Sequence, residues 1–229
     1  MKKNTDIKNK IFSFIKFGNK DNMIDFIENG TIYFNTIEYF KKLEEQIARG
    51  DKYEGTTRIQ NFHESDNYTL TITDPETKKE IKIKNSKIHY HQSLNDIKGN
   101  LFSMYCLKTP ELLAKDFKID QKVKNFGSHF VMIRDSDKFL ELVSKELEKQ
   151  NIPFKGKLVN YYQKEKINGE ITPFDKTTEY EYQKEYRIVL FSNEIKPIII
   201  QIGNLRKIAE IFEIKVIDKI KFKWEKKTV

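Results

Sequence analysis

A chain of 229 residues without an apolar run of 18 or more cannot supply a helical membrane span, and one cysteine cannot form an intramolecular disulfide. The lysine-rich start lacks the long apolar segment and small-residue cleavage site of a secretory signal, so a cytoplasmic protein is expected. The net charge of +8 favours encounters with polyanions, although an ordinary solvated lysine surface reads the same way.

The length suits one domain, whose core must draw on 17 Phe and 11 Tyr. Residues 11–17 (IFSFIKF) read as a first strand. Asp21-Asn22 offers an N-cap for a helix over MIDFIEN, with Gly30 as its stop. TIYFN (31–35) predicts a strand and TIEYFKKLEEQIARG a helix ending at Gly50. Residues 67–91 predict a polar β-hairpin insertion, with Tyr68, Leu70, Ile72, Ile81 and Ile83 alternating around a DPETKK turn. LFSMYCL (101–107) and HFVMI (129–133) are continuous apolar runs of the kind found in central strands. The segment 137–150 is an amphipathic helix by its spacing of Phe139, Leu140, Val143 and Leu147. KLVNYY (157–162), YRIVLF (186–191) and KPIIIQI (196–202) predict further strands, NLRKIAEIF a short helix, and KIKFKW a closing strand. Strands joined by short links late in the chain argue for α+β with antiparallel pairing.

The familiar phosphate-loop, dinucleotide, nucleophile-elbow and zinc-protease motifs are missing. His89 and His91 stand two apart, but no Cys/His pair follows to complete a metal site; His63 and His129 stand alone, and Cys106 lies within an apolar run. RGDKYEG (49–55) is either a plain helix end with Gly50 at C′, or a loop in which Arg49 clamps an anion. In FSMY (102–105), Ser103 and Tyr105 share one strand face while Phe102 and Met104 take the other. In EYEYQKEYRIVLF (179–191), Gln183 and Glu185 would share a strand face. They are either a solvated strand end or an amide and a carboxylate aimed into a cleft, and Arg187, on that face again, competes for Glu185 as a salt-bridge partner.

Taken in order, a polar or aromatic early strand with an Arg loop, a Ser/Tyr central strand and a late Gln-x-Glu strand resemble the ADP-ribosyltransferase superfamily. NKDNMIDFIENG followed by Arg49 is similar to the opening of DarT/CmdT-type nucleic-acid ADP-ribosyltransferase toxins of bacterial anti-phage systems. The first-strand His common in DarT-type enzymes is not evident here; Phe17 or Lys16 stands at its place. The resemblance implies a pair of split antiparallel β-sheets with an N-terminal helical lobe, and NAD as substrate in the cleft. It implies Asn22, Tyr33, Arg49, Ser103 and Tyr105 as NAD-binding residues, with Tyr33 or Tyr105 against nicotinamide and Arg49 on phosphate. Glu185 would act as the catalytic carboxylate, with Arg49 and Gln183 beside it. The implied acceptor is nucleic acid, RNA before DNA, and an antitoxin protein is an implied partner. The competing expectation is a nucleic-acid-binding defence domain without enzymatic activity, in which Glu185 merely pairs with Arg187. A nuclease would need a cluster of metal-binding carboxylates and histidines that the sequence does not display.

Overall fold

The computed structural model describes residues 11–43, 55–84, 87–93, 98–112 and 117–221. The first half runs β1 (Ile11–Gly18), α1 (Lys20–Asn29), β2 (Thr31–Thr36), α2 (Ile37–Leu43), β3 (Thr56–Phe62), β4 (Thr69–Thr73), β5 (Glu80–Lys84), β6 (Ile88–Ser93) and β7 (Asn100–Lys108). After α3 (Thr109–Leu112) come β8 (His129–Ile133), α4 (Ser136–Lys149), β9 (Phe154–Leu158), β10 (Asn160–Tyr162) and β11 (Gly169–Glu170). The described chain closes with β12 (Asp175–Thr177), β13 (Glu185–Leu190), β14 (Ile198–Gln201) and β15 (Ala209–Glu213). The fold is α+β as expected, and among the described residues every strand pairing is antiparallel except β10 with β12.

The main sheet has the order β14-β2-β7-β1-β8-β15, with β13 on the second edge of β7 and β9 beyond it. Both faces of its central strands are covered, which is why β1 and β7 read as continuous apolar runs rather than alternating ones. On one face Phe14, Phe102, Met104 and Val131 pack with Met23, Phe26 and Ile27 of α1 and Phe139, Val143 and Leu147 of α4. On the other, Ile15, Tyr105, Leu107 and Phe130 pack with Val123 and Ile217, while Ile37, Leu101, Phe174 and Val189 form a separate patch.

The cap of α1 lies upstream of the expected Asp21-Asn22. Asn19 follows the end of β1 directly, and its Oδ1 accepts from the Asn22 backbone N–H at 2.8 Å, three residues on. Gly30 ends the helix in the left-handed conformation, φ 63°. A Cβ there would lie 2.3 Å from the Gly203 carbonyl oxygen, a backbone atom that cannot step aside alone. Gly30→Ala is therefore expected to lower stability by about 1–3 kcal/mol. Chemical denaturation checks this; a midpoint equal to that of the wild type would show that the junction relaxes freely.

Three further segments depart from expectation. NLRKIAEIF turns at 206–208 and then forms strand β15, because pairing with β8 across Ala209↔Ile133 to Glu213↔His129 outweighs the local helical pattern. KLVNYY breaks at Val159: β9 stays beside β13, and β10 leaves to pair with β12. Within 67–91 the hairpin spans only β4 and β5, while β6 pairs with β3. The predicted helix over 36–50 is described only as α2. Ile214–Lys219 of the closing region is a 3-10 turn, and the rest of the predicted last strand from residue 222 lies outside the described residues.

Candidate active site

The sheet forks at β7. β13 pairs with one edge of β7 from Asn100 to Tyr105, so β1 and β2 must both use the other edge. β1 meets it from Tyr105 to Lys108 and β2 at Asn100 and Leu101, leaving no strand pairing in the stretch between. Lys16, reaching across from β1, donates from Nζ to the Ser103 carbonyl in that gap at 2.8 Å, with its ammonium 4.1 Å from the Phe102 ring centre. A buried carbonyl without a ladder partner has to be satisfied by a side chain, and Lys16 does this.

At the fork, on the face away from α1 and α4, lies a cavity of about 160 Å³ between the two apolar patches. Its wall includes Phe17, Phe40, Tyr105 and Phe126 together with Lys16, Ser103, Lys176, Gln183, Glu185 and Arg187. Ser103 and Tyr105 share this face, as the alternation of FSMY requires, opposite Arg187 and Glu185 of β13.

Glu185 is 7% exposed and held from two sides. Its Oε1 accepts from Lys176 Nζ at 2.8 Å and its Oε2 from Arg187 Nε at 2.8 Å. Arg187, 2% exposed, also donates from Nη1 to the Pro173 carbonyl at 2.5 Å. The Glu185 backbone N–H donates to the Tyr161 hydroxyl at 2.8 Å. Burial opposes ionisation of Glu185, but the charges of Arg187 and Lys176 overcome it and hold the carboxyl well below the usual carboxylate range. Burial, reinforced by the Glu185 charge, pushes the Tyr161 hydroxyl far above its ordinary value, so it stays a neutral phenol.

Gln183 reaches this group by a route the sequence does not suggest. It ends a 3-10 turn (Thr178–Gln183) rather than lying on the strand, and Lys184 takes a left-handed conformation, φ 41°, before β13 begins. Period-2 spacing thus does not apply between Gln183 and Glu185. They converge instead through Lys176, whose Nζ also donates to Gln183 Oε1 at 2.6 Å. The Gln183 Nε2 donates to the Tyr182 hydroxyl at 3.2 Å.

No protein-family model, curated protein or solved structure matches this chain.

Of the residues singled out in the sequence, Ser103, Tyr105, Gln183, Glu185 and Arg187 come together at the cavity. Tyr33 does not line it: this residue is 49% exposed on β2, opposite Ile199 of the edge strand β14. Asn22 is exposed on α1, whose buried side chains join the core on the opposite face of the sheet. Arg49, with the rest of 44–54, lies outside the described residues.

Sequence reasoning missed Lys176, Tyr161, Phe40 and Phe126. Lys176 sits in TPFDKTT, a polar stretch where a lysine is unremarkable, and only the short parallel pairing of β12 with β10 turns it inward. Among the described residues no group of three or more His, Cys, Asp and Glu side chains converges as a metal site, and His89 Nδ1 lies 2.7 Å from Asn61 Oδ1. Among them, too, no helix is long and apolar enough to cross a membrane.

Proposed function

We propose that this chain is an NAD-dependent ADP-ribosyltransferase that modifies nucleic acid, RNA in the first instance, as a cytoplasmic toxin of phage defence restrained by an antitoxin. The observation that carries this reading is the Glu185 carboxylate. It accepts hydrogen bonds from two buried cations, which favour its ionised form, and is set in the wall of an aromatic-lined cavity together with Ser103 and Tyr105. The forked antiparallel sheet supports the split-sheet, ADP-ribosyltransferase-like fold that the sequence motifs imply, although α1 and α2 pack on opposite faces of the sheet rather than together as an N-terminal helical lobe.

The chemistry asks little covalent work of the protein. The bond between the ribose C1′ and the nicotinamide nitrogen breaks, nicotinamide leaves with the electron pair as a neutral molecule, and positive charge builds on the ribose. A fixed carboxylate stabilises that charge, and it does so most strongly where water is excluded. Each Glu185 oxygen uses one lone pair on its cation and keeps another for a ribose hydroxyl. The aromatic wall offers Tyr105, Phe17 and Phe126 for the nicotinamide ring. The cavity is smaller than the roughly 300–1,000 Å³ that encloses a drug-sized ligand. It therefore takes the reacting end of NAD and leaves the adenosine half outside. The acceptor atom forms the new bond to C1′ and gives up its proton to solvent water. The excess of 42 basic over 34 acidic residues favours a polyanionic acceptor.

One observation favours a second reading. Both Glu185 oxygens face buried cations, as in a structural ion-pair cluster of a nucleic-acid-binding domain without enzymatic activity. Incubation with NAD labelled in the adenylate moiety, alongside RNA, DNA or lysate, separates the two. The enzymatic reading expects labelled RNA and free nicotinamide; neither label transfer nor nicotinamide release by wild-type protein would leave the binding reading standing.

A further inference from the structure

Lys176 is the least expected member of the cavity wall. It lies on β12, 3% exposed, with its ammonium against Gln183 Oε1 at 2.6 Å, Glu185 Oε1 at 2.8 Å and the Tyr180 ring at 4.9 Å from its centre. Glu185 already has Arg187 as an ion-pair partner, so Lys176 is a second buried cation on one carboxylate. Glu185 is also the only carboxylate among the described residues that line the cavity. Stability gives a poor account of such an arrangement. Taking an ammonium out of water is costly, the carboxylate it joins is already paired, and an apolar side chain of similar length would fill the space. What the ammonium alone provides is a fixed relation between two groups that the backbone leaves independent. Gln183 ends a turn, Glu185 starts a strand, and a left-handed residue separates them.

We propose that Lys176 is a positioning residue, which locks the Gln183 amide and the Glu185 carboxylate into one rigid unit facing the reacting ribose and the acceptor. This rests on the ADP-ribosyltransferase reading. Because Lys176 holds Gln183 by its oxygen, the amide turns its NH₂ outward; one proton goes to Tyr182, and the other serves an acceptor group that takes a hydrogen bond. Lys176 touches neither bond that breaks or forms. It acts by fixing orientation, and a small misplacement of catalytic groups is enough to slow a reaction about a hundredfold.

The charged and titratable groups around Glu185 are Lys176 from β12, Arg187 from β13, Lys16 from β1, and the hydroxyls of Tyr161 from β10 and Tyr105 from β7. Removing Lys176 takes away one of the two cations that keep the carboxylate ionised. The low-pH limb of the activity profile must then move to higher pH.

The test is steady-state transfer from labelled NAD to RNA by full-length wild-type, Lys176→Met and Lys176→Arg protein, across pH. Lys176→Met is expected to lose about 10²-fold in kcat while the KM for NAD changes only a few-fold. Its acid limb should shift upward, and Lys176→Arg, which restores the charge, should recover part of the rate. Wild-type rates and an unmoved pH profile in Lys176→Met, with wild-type protein active, would overturn this proposal alone. Inactive wild-type protein would overturn the enzymatic reading and this proposal with it. If Lys176→Met fails to fold, Lys176→Gln replaces it, with the same two readouts deciding.

Discussion

Glu185→Gln is expected to reduce ADP-ribosyl transfer by at least about 10²–10³-fold, the range seen when one preorganised charge-stabilising group is removed from an active site. Glutamine keeps the shape and the hydrogen-bonding reach of the side chain but not its charge, so the growing positive charge on the ribose loses its counter-ion. The same change also strains the fold. It leaves Lys176 and Arg187, both almost fully buried, beside a neutral amide. Uncompensated charge of this kind costs about 3–5 kcal/mol. Loss of activity must therefore be read together with circular dichroism and a melting curve at the assay temperature. The double variant Glu185→Gln/Lys176→Met separates the two effects. It removes one cation along with the carboxylate and returns the cluster to its original net charge, so stability should partly recover while transfer does not. Recovery of transfer in the double variant would remove Glu185 from the chemistry.

The second large effect concerns Arg187, among the largest fully buried side chains of the protein. Its guanidinium ties β13 to the Pro173 carbonyl in the segment before β12, as well as to Glu185. Arg187→Met is expected to cost about 3–5 kcal/mol, a large share of the roughly 5–15 kcal/mol that holds a domain together. For a chain of this size that corresponds to a fall in melting temperature on the order of 10 °C. Arg206, whose partner Glu28 is on the surface, should by contrast tolerate replacement with little change in melting temperature. Equal effects of the two replacements would show that the buried cluster is not what secures β13 to β12.

The pH dependence follows from the direction of the Glu185 shift. In the folded protein its carboxyl lies well below its ordinary value of 4.5, so the unfolded chain binds this proton more readily. The stabilisation it contributes is complete above about pH 4.5–5 and is lost as the pH falls through the folded value. The stability difference between wild type and Glu185→Gln should accordingly shrink on acidification, by up to about 1.4 kcal/mol per pH unit. Denaturant titrations between pH 3 and 7, in steps of about one unit, check it. A difference that stayed constant, or grew, would mean that Glu185 is not held ionised by its two cations.

Much of the local structure is legible in the sequence. Gly30 as a helix stop, the central strands at 101–107 and 129–133, and the helix with Phe139, Val143 and Leu147 inward all follow from local rules. So does the competition between Arg187 and the cleft for Glu185. Residues two apart on a strand must share a face, and the structure gives Glu185 both the ion pair and the cavity. What local rules mislead on is also instructive. Strand alternation predicts that Gln183 and Glu185 meet on one face, whereas they meet only because Lys176 stands between them.

What the sequence by itself determined is the helix stop at Gly30, the apolar runs of the central strands, and that Ser103 and Tyr105 lie on the side opposite Phe102 and Met104. Only the tertiary structure decided that β1 and β2 fork from one edge of β7, and that β13 carries its carboxylate to the opening between the two cores. It also decided that a lysine from a polar segment closes the group, and that Asn22 and Tyr33 stand apart from it. The physical reason is range. Propensity and periodicity act over a turn or a strand, whereas the cavity joins Lys16, Ser103, Lys176 and Glu185 from four strands. Their meeting depends on which distant edges pair, and that is set by the burial of whole faces rather than by any short stretch of residues.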